Sequence, residues 1–398
     1  MNRSITLITY GLLGLWSFCA LQANDAAKFA TFSYFAIVLL LLIEAVALIV
    51  IISNAGHLVN SRLNKAVLVW LVYVVLNTIV TSNDLFRSLR DVIWWPFIYF
   101  LFYYIAYEDT QENNVRLFLK IFPFLFFLLL LLFVYMRTKT IIRYDEYGKE
   151  EFVQSNAIYF NALLLPFAFL LKNKRSKYLF LIIGFILVLI SFKRSALIYS
   201  VLVLFMSIYY DFIKSKSLNL FGGILLSLFI IAAGVLAFNY IDKKTDNFIS
   251  NRIISMQSDE GSGRLEIYKI VWKKFESKSI EEKLIGSGQN SVVAANTTVE
   301  GVGLSAHNDF LEVLFDFGVI GLFIYLYIIL LLIRRLIYLK HIDDRCFQAN
   351  YAAFLIFIVM SLVSHLVIYP TFFAYLAMVW AMTEGLIKRK ELENGQVD

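Results

Sequence analysis

Three basic side chains in the sequence lie beside long apolar runs, where charge is costly. Arg194 sits in a short turn between two such runs, SFKRSAL, Arg264 opens the amphipathic stretch GRLEIYKIVW, and His307 precedes an apolar run in AHNDFLEVLF. Arginine binds phosphate through a planar fork, and histidine is the usual general base near neutral pH. Gathered at one membrane face, these side chains could bind a lipid-linked diphosphate and take a proton from an attacking hydroxyl.

The composition of the chain decides the fold class. Of 398 residues, 60% are hydrophobic and 17% charged, and the mean hydropathy is +0.72, whereas a soluble domain is nearer half apolar and a quarter charged. The apolar residues cluster in runs of about twenty, the length that crosses a bilayer as a helix. We therefore predict an all-α integral membrane protein. The net charge of +6 comes mainly from short loops, so a nucleic-acid partner is not expected.

About twelve transmembrane helices are predicted, with one large loop between the ninth and the tenth. The helices fall near 5–23, 31–53, 65–81, 92–107, 117–135, 156–171, 178–192, 195–213, 219–240, 309–333, 350–369 and 371–387. This divides the chain into transmembrane helices 1–9 (1–240), a loop containing an amphipathic helix (241–308), transmembrane helices 10–12 (309–387) and a tail (388–398).

The loop charges predict the orientation. Basic residues concentrate in KNKRSK (172–177), at Arg334 with Arg335, and in the tail at KRK (388–390). Because short cytoplasmic loops carry the excess of Lys and Arg, both termini are predicted to be cytoplasmic. Residues 241–308 and Arg194 then lie on the outer, periplasmic side.

Within the large loop, residues 263–278 have the periodicity of an amphipathic helix. One side carries Leu265, Tyr268, Val271 or Trp272, and Phe275, and the other carries Lys269, Lys273 and Lys274. GSGQNS (286–291) is predicted to be a glycine-rich turn. A small cap lying on the membrane surface would explain the same pattern, and such a cap is compatible with a catalytic role.

Each candidate residue also has a structural explanation. Arg194 could extend from a helix end to the interface, although a charge on the outer face opposes the orientation rule and is therefore a functional candidate. Arg264 could be a solvated surface arginine, although its place at a helix N-terminus suits phosphate. Asn308 or Asp309 could cap the following helix and thereby fix His307 in place.

The nearby carboxylates leave the identity of the general base open. Asp309, Glu312 or Asp316 could orient the imidazole of His307 or replace it as base. Phosphate loops of the Walker type are missing from the sequence, as are HExxH, CxxC and GxSxG motifs. Neither a metal nor a cofactor is therefore expected, and paired arginines are then the obvious groups to neutralise a diphosphate leaving group.

Three segments resemble the O-antigen ligase and polymerase superfamily: SFKRSALIYSVLVLF, GRLEIYKIVWKKF followed by LIGSGQNS, and AHNDFLEVLFDFGVIGLFIYLYII. The histidine block with Gly318 and Gly321 downstream is the most specific of the three. The resemblance covers roughly residues 155–335, and it implies a fold of the GT-C-like membrane type.

The resemblance also implies an activity. Members are metal-independent, inverting glycosyltransferases that take glycan from undecaprenyl diphosphate on the periplasmic side of the inner membrane. Arg194, Arg264 and His307 match the family's catalytic positions, and Lys193, Asn308 and Asp309 beside them are predicted to bind substrate.

The acceptor distinguishes two activities within the family. Ligases attach the glycan to lipid A–core, and polymerases join it to another lipid-linked repeat unit, as relatives that make capsule or exopolysaccharide also do. The span pattern is closer to the ligases, whereas the charged loop 136–155 leaves the polymerase alternative open.

A transporter or flippase of lipid-linked oligosaccharide is the alternative from another class. Such proteins often carry internal repeats and charges near the middle of the membrane. The sequence shows no repeat, and its candidate polar groups gather at one face, which favours the enzyme.

Overall fold

The computed structural model describes residues 3–23, 30–82, 84–109, 113–140, 143–144, 150–151, 158–191, 194–214, 239, 243, 264–296, 305–364, 366 and 370–393. Almost all of these residues are helical. The chain is an all-α membrane protein, as its composition predicts. The described part also contains one short two-stranded antiparallel sheet, in which β1 (Arg143–Tyr144) pairs with β2 (Glu150–Glu151).

The helices of the first half are long and mostly apolar. They are α1 (Arg3–Ala23), α2 (Ala30–Ser53), α3 (Ala55–Leu58), α4 (Arg62–Thr81), α5 (Leu85–Tyr107), α6 (Asn113–Thr140), α7 (Ile158–Leu164), α8 (Lys174–Ser191) and α9 (Arg194–Ile208). A 3₁₀ turn (Leu165–Leu170), with a proline in its first turn, continues α7, and a π-helical turn (Tyr209–Lys214) continues α9.

From residue 264 onward, the described part of the chain contains three short helices and three long ones. The short ones are α10 (Arg264–Glu276), α11 (Ile280–Ile285) and α12 (Ser291–Ala295), and the long ones are α13 (Asp309–Ile342), α14 (Asp344–Val363) and α15 (Pro370–Glu393). Helix α10 covers most of the stretch 263–278, for which an amphipathic helix is predicted, and the predicted turn at 286–291 lies largely between α11 and α12.

Helices cover eleven of the twelve predicted spans, and the ninth, 219–240, falls almost wholly outside the described residues. Among the residues that the structure describes, five stretches could each cross a membrane by length and apolar composition: Ser33–Ser53, Arg62–Thr81, Asn113–Tyr135, Asp309–Ile342 and Asp344–Val363. The total of twelve spans and the side on which the large loop lies stay predictions.

The bundle core is aromatic and closely packed around α5 and α15. A Cβ atom added at Gly385 of α15 would lie 2.5 Å from the carbonyl oxygen of Tyr103 in α5. Rings of the two helices also meet, with Trp95 and Phe373 at 4.9 Å between centroids. Because no larger residue fits at Gly385, these two helices approach each other more closely than side chains would allow.

Contacts at the helix ends establish the relative directions of α9 and α14. Tyr210, after α9, lies 5.1 Å from Phe347 at the start of α14, and Lys177 at the start of α8 forms an ion pair with Asp211. The end of α9 and the start of α14 therefore meet, so the two helices run antiparallel. We call this end of the bundle, which also carries Asp343, the basic end.

The opposite end of the bundle carries the start of α9 and the end of α14. There the hydroxyl of Ser361, near the end of α14, donates to the carboxylate of Asp309, at the start of α13, at 2.7 Å. We call this the site end. Arg194, at the start of α9, belongs to it because α9 runs from there to the basic end.

Candidate functional site

The backbone of His307 adopts the left-handed conformation, with φ of +53°. This region is unfavourable for residues other than glycine, so the neighbouring contacts must hold it. The Asn308 side chain caps α13 by accepting from the Leu311 N–H at 3.1 Å. The buried carboxylate of Glu312 accepts from the backbone N–H groups of Ala306 and His307. The turn before α13 is thus fixed on both sides of the histidine.

Asp309, the first residue of α13, is fully buried. Its two carboxylate oxygens accept from the Ser361 hydroxyl at 2.7 Å and from the Leu366 N–H at 2.8 Å. The Tyr325 hydroxyl lies 3.3 Å from that of Ser361. Because both oxygens are engaged, the carboxylate binds the start of α13 to the end of α14.

Helix α10 docks onto the histidine turn through Tyr268. The Tyr268 hydroxyl lies within donating distance of the carbonyl oxygens of His307, at 3.3 Å, and Leu362, at 3.4 Å. The Asn308 amide donates to the same Leu362 oxygen at 3.3 Å. The carbonyl group of Leu362 therefore joins α10, α13 and α14.

Arg264 lies one helical turn before Tyr268 on α10. Residues four apart on a helix are neighbours on its surface, so Arg264 stands beside the tyrosine that contacts the His307 turn. Its side chain is half-buried. Tyr268 therefore links the helix that begins with Arg264 to the turn that holds His307.

Helix α13 breaks at Gly318, where φ is +67° and ψ is −171°. The break separates residues 309–317 from the rest of the 34-residue helix and frees carbonyl groups that a regular helix would use. The N–H groups of Ser287 and Gly288 donate to the oxygens of Phe315, at 3.3 Å, and Asp316, at 2.8 Å. The turn 286–291 thus takes the place of the missing helical donors.

The carboxylate of Asp316 holds the far side of the same turn. It is fully buried and accepts from the N–H groups of Asn290 at 2.8 Å and Val292 at 3.2 Å, and from the Ser291 hydroxyl at 2.7 Å. An acidic group at a helix N-terminus is favoured by the helix dipole, and Asp316 occupies that position for α12. Asp309, Glu312 and Asp316 therefore each bind the backbone of a different segment.

Helix α4 supports the break from inside the bundle. The Tyr73 hydroxyl donates to the Phe317 carbonyl at 2.6 Å, and the Asn77 amide donates to the Ile285 carbonyl at 2.5 Å. These contacts satisfy carbonyl groups at both the helix break and the turn. Residues 62–81 thus help to position the site although they lie far from it in sequence.

Lys278, between α10 and α11, adds a charge near the break. Its ammonium group donates to the Phe315 carbonyl at 2.7 Å and lies 3.2 Å from the centroid of the Phe315 ring. Burial lowers the pKa of Lys278 from its ordinary 10.5 to about 8, against the opposing charges of Asp316 and Glu282. Its charged form is therefore less favourable here than in water.

Arg194 is the first residue of α9 at the site end, and Lys193 lies outside the described residues. The next residue, Ser195, hydrogen-bonds the Tyr159 hydroxyl at 2.9 Å. The Tyr159 ring lies 5.4 Å from Phe372 of α15. The start of α9 is thereby fixed at the same end of the bundle as the histidine turn. The convergence of the three predicted side chains on one pocket stays a prediction.

The packed face of α10 is centred on Val271. Val271 is buried and Ile267, Tyr268 and Phe275 are half-buried, whereas Leu265 and Trp272 are about half exposed. Of the two alternatives Val271 and Trp272, Val271 is the residue on the buried face. Leu265 lies off this packed side, because the helix turns its Ile267 side toward α13.

The anchoring roles of Glu312 and Asp316 were not recognised from the sequence. Their spacing from Asp309, three and seven residues, places all three carboxylates on one helical face, and this was the available signal. The roles of Tyr73, Asn77 and Tyr268 have no such signal, because each depends on a contact distant in sequence. In the described part of the chain, no three His, Cys, Asp or Glu side chains are grouped as a metal site requires.

Residues 160–326 match a family model described as O-antigen ligase. The matched segment contains Arg194, Arg264 and His307, and also the turn and the helix break that surround the histidine. No curated protein matches the chain with significance.

Proposed function

We propose that the protein is a glycosyltransferase that uses lipid-linked glycan, because residues 160–326 match the family model described as O-antigen ligase. In this proposal it moves the glycan from undecaprenyl diphosphate to an acceptor hydroxyl of lipid A–core, at the periplasmic face of the inner membrane. The donor, the acceptor and the side of the membrane are parts of the proposal.

One observation carries the proposal: the helix that begins with Arg264 rests on the turn that holds His307. The Tyr268 hydroxyl makes that contact with the His307 carbonyl, and Glu312 and Asn308 hold the turn in its left-handed conformation. Such fixed geometry is what a transfer site needs, because catalytic groups act only when they are held in position. An arginine at a helix N-terminus beside a general base suits a phosphorylated donor.

The proposed reaction is a single displacement without a metal ion. The acceptor oxygen attacks the anomeric carbon, a new glycosidic bond forms, and the bond from that carbon to the diphosphate oxygen breaks with inversion. His307 takes the proton of the attacking hydroxyl. Arg194 and Arg264 stabilise the negative charge that builds on the departing undecaprenyl diphosphate.

The neighbouring polar residues have supporting roles in this proposal. Lys193 adds positive charge beside Arg194 for the diphosphate, and Asn308 faces the acceptor while it caps α13. Asp309 acts indirectly, because both of its oxygens already accept hydrogen bonds from Ser361 and Leu366. It positions the start of α13 and thereby the histidine.

Reconstitution tests the proposed reaction and its acceptor together. Purified protein in liposomes receives undecaprenyl-diphosphate glycan with lipid A–core in one sample and a lipid-linked repeat unit in another. We expect product with lipid A–core. Product with the repeat unit alone would identify the polymerase activity, and movement of intact donor across the bilayer without any transfer would identify the transporter.

Substitutions of the three basic residues test the assigned roles. Arg194→Ala and Arg264→Ala should each lower turnover on the order of a hundredfold or more, and Arg264→Lys should also be impaired because lysine lacks the planar fork. His307→Gln should keep donor binding and lose most transfer, together with the activity limb near pH 6–7 that is typical of histidine.

His57→Ala and His341→Ala serve as matched controls, because both histidines are exposed and lie away from the site end. They should retain wild-type turnover. If His307→Gln keeps both the wild-type rate and the activity limb, then His307 is not the base, and Glu312 or Asp309 must be tested in its place.

A further inference from the structure

A cavity of about 490 Å³ opens at the basic end of the bundle, away from the histidine turn. It lies between α6, the link that follows the 3₁₀ turn, the start of α14 and the C-terminal part of α15. Asp343 and Cys346 lie in its wall, so it belongs to the end at which α14 begins. No step of the proposed transfer uses this cavity.

Basic side chains from four separate parts of the chain line the cavity: Arg116 and Lys120 of α6, Lys172 of the link, Arg345 of α14 and Lys390 of α15. The orientation of helices in a membrane requires basic loops on one side. It does not require basic side chains from different loops to gather around one cavity. Like charges gathered around one cavity repel one another, and a bound anion relieves that repulsion.

The acidic group among the described lining residues is already neutralised. The Asp343 carboxylate accepts from the N–H groups of Arg345 and Cys346, each at 3.0 Å, and from the Lys390 ammonium group at 3.1 Å. It caps α14 and interacts with Lys390 and Arg345, so a single carboxylate faces the five basic side chains of the lining. The rim of the cavity therefore keeps a clear excess of positive charge.

The walls of the cavity are apolar. Val115 and Leu119 stand four residues apart on α6, directly beside Arg116 and Lys120, and Leu170 and Leu386 line other walls. A cavity with a cationic rim and apolar walls complements a molecule with an anionic head and a hydrocarbon tail. A free phosphate ion would contact only the basic rim and would leave the apolar walls without a binding partner.

We propose that this cavity binds an anionic glycerophospholipid, with the phosphate at Lys120, Lys172 and Arg345 and part of an acyl chain against Val115 and Leu119. Basic pockets between transmembrane helices bind anionic head groups in this way on the cytoplasmic side, which is the side that the loop charges predict for this end. The inference does not depend on the proposed transfer reaction.

Titration of full-length protein with lipid, followed by native mass spectrometry, tests the proposal. Phosphatidylglycerol is the anionic probe, phosphatidylethanolamine the zwitterionic one, and inorganic phosphate the head-group probe. Wild-type protein should retain phosphatidylglycerol in preference to phosphatidylethanolamine, and millimolar phosphate should not displace it.

Two variants separate the head group from the tail. Because each basic side chain near a membrane surface contributes about fivefold to anionic lipid binding, Lys120→Gln with Lys172→Gln should weaken phosphatidylglycerol binding by roughly 30-fold. Leu119→Trp keeps every charge and fills the apolar part, and it should also weaken binding of the lipid.

Arg334→Gln with Lys340→Gln is the matched control, since both side chains are exposed at the same end of the bundle and lie outside the cavity. Equal loss of lipid in this control would overturn the proposal, because general surface charge would then explain the binding. Equal retention of the two lipids would overturn it too, as would unchanged phosphatidylglycerol binding in the Leu119→Trp protein or displacement of the lipid by phosphate.

Discussion

Substitution of Gly286 by alanine should release the turn 286–291 from the broken helix. Gly286 has φ of +88° and ψ of −178°, and Gly318 across from it has φ of +67° and ψ of −171°. Glycine is almost alone in this backbone region. A Cβ atom at Gly286 would lie 2.1 Å from the Asp316 oxygen and 2.6 Å from the Gly318 nitrogen. Both neighbours are backbone atoms, so they cannot rotate away as a side chain could.

The size of the effect follows from two contributions. Keeping an alanine in this conformation costs about 1–3 kcal/mol, and moving the turn away sacrifices the hydrogen bonds from the N–H groups of Ser287 and Gly288, about 0.5–1.5 kcal/mol each. The protein can respond partly by keeping the strained alanine and partly by moving the turn. We therefore expect the docked state, in which the turn 286–291 contacts α13, to be destabilised by about 2–4 kcal/mol. The population of the released turn should then rise roughly 30- to 700-fold.

Limited proteolysis measures this population directly. Lys283 lies three residues before Gly286, and trypsin cleaves after it only when the turn is released. When opening and closing are fast relative to cleavage, the cleavage rate follows the equilibrium population of the open state. Gly286→Ala protein in detergent should therefore be cut at Lys283 faster by the same factor, and its transfer activity should fall.

Gly14→Ala is the matched control, because nothing lies within 4 Å of a Cβ atom added at Gly14 in α1. Alanine is favoured over glycine inside a helix, so this variant should be as stable as the wild type or more so. If Gly286→Ala protein is cut at Lys283 at the wild-type rate and keeps full activity, the close contact of Gly286 with Asp316 and Gly318 does not exist.

Three further substitutions test single contacts of the site. Tyr268→Phe removes one long hydrogen bond, which the carbonyl oxygens of His307 and Leu362 share. It should lower transfer by no more than about tenfold in the liposome assay, and a hundredfold loss would mean that the hydroxyl contacts substrate. Asp316→Asn weakens charge-assisted bonds to the turn and should speed tryptic cleavage at Lys283 by at least tenfold. The pKa of Lys278 is lower in the folded protein, about 8, than in the unfolded chain, near 10.4, so folding releases a proton between these values and thermal stability should rise with pH there. That rise should vanish in Lys278→Met protein, and its persistence would assign the pH dependence to another group.

The helical membrane fold was predictable because apolar runs of about twenty residues have few alternatives. The helix at Arg264–Glu276 and the turn at 286–291 were equally accessible, from the period of Val271 and Phe275 and from two closely spaced glycines. The break at Gly318 was not, because the glycine lies within a continuous apolar run that reads as one helix. The donors that stabilise the break come from the turn 286–291, from Tyr73 and from Lys278. Periodicity carries no information about them.

The candidate site was predictable as a set of residue types but not as an arrangement. Arg264 and His307 are conspicuous because a charged or titratable group beside an apolar run is costly. Tyr268, whose hydroxyl joins the helix of Arg264 to the turn of His307, is indistinguishable in sequence from any other apolar position of an amphipathic helix. The use of Glu312 as an anchor for the His307 N–H depends on the left-handed backbone of one residue, which local sequence does not specify for histidine.

The three carboxylates of residues 309–317 also constrain the order in which the protein can assemble during synthesis. Asp316 binds the turn 286–291 and Glu312 binds residues 306–307, both of which emerge from the ribosome earlier, whereas Asp309 binds Ser361 and Leu366, which emerge later. The start of α13 therefore cannot reach its final position until α14 has been inserted. A nascent chain that ends before Ser361 leaves the Asp309 carboxylate without these donors, so insertion of α14 completes the surroundings of the histidine.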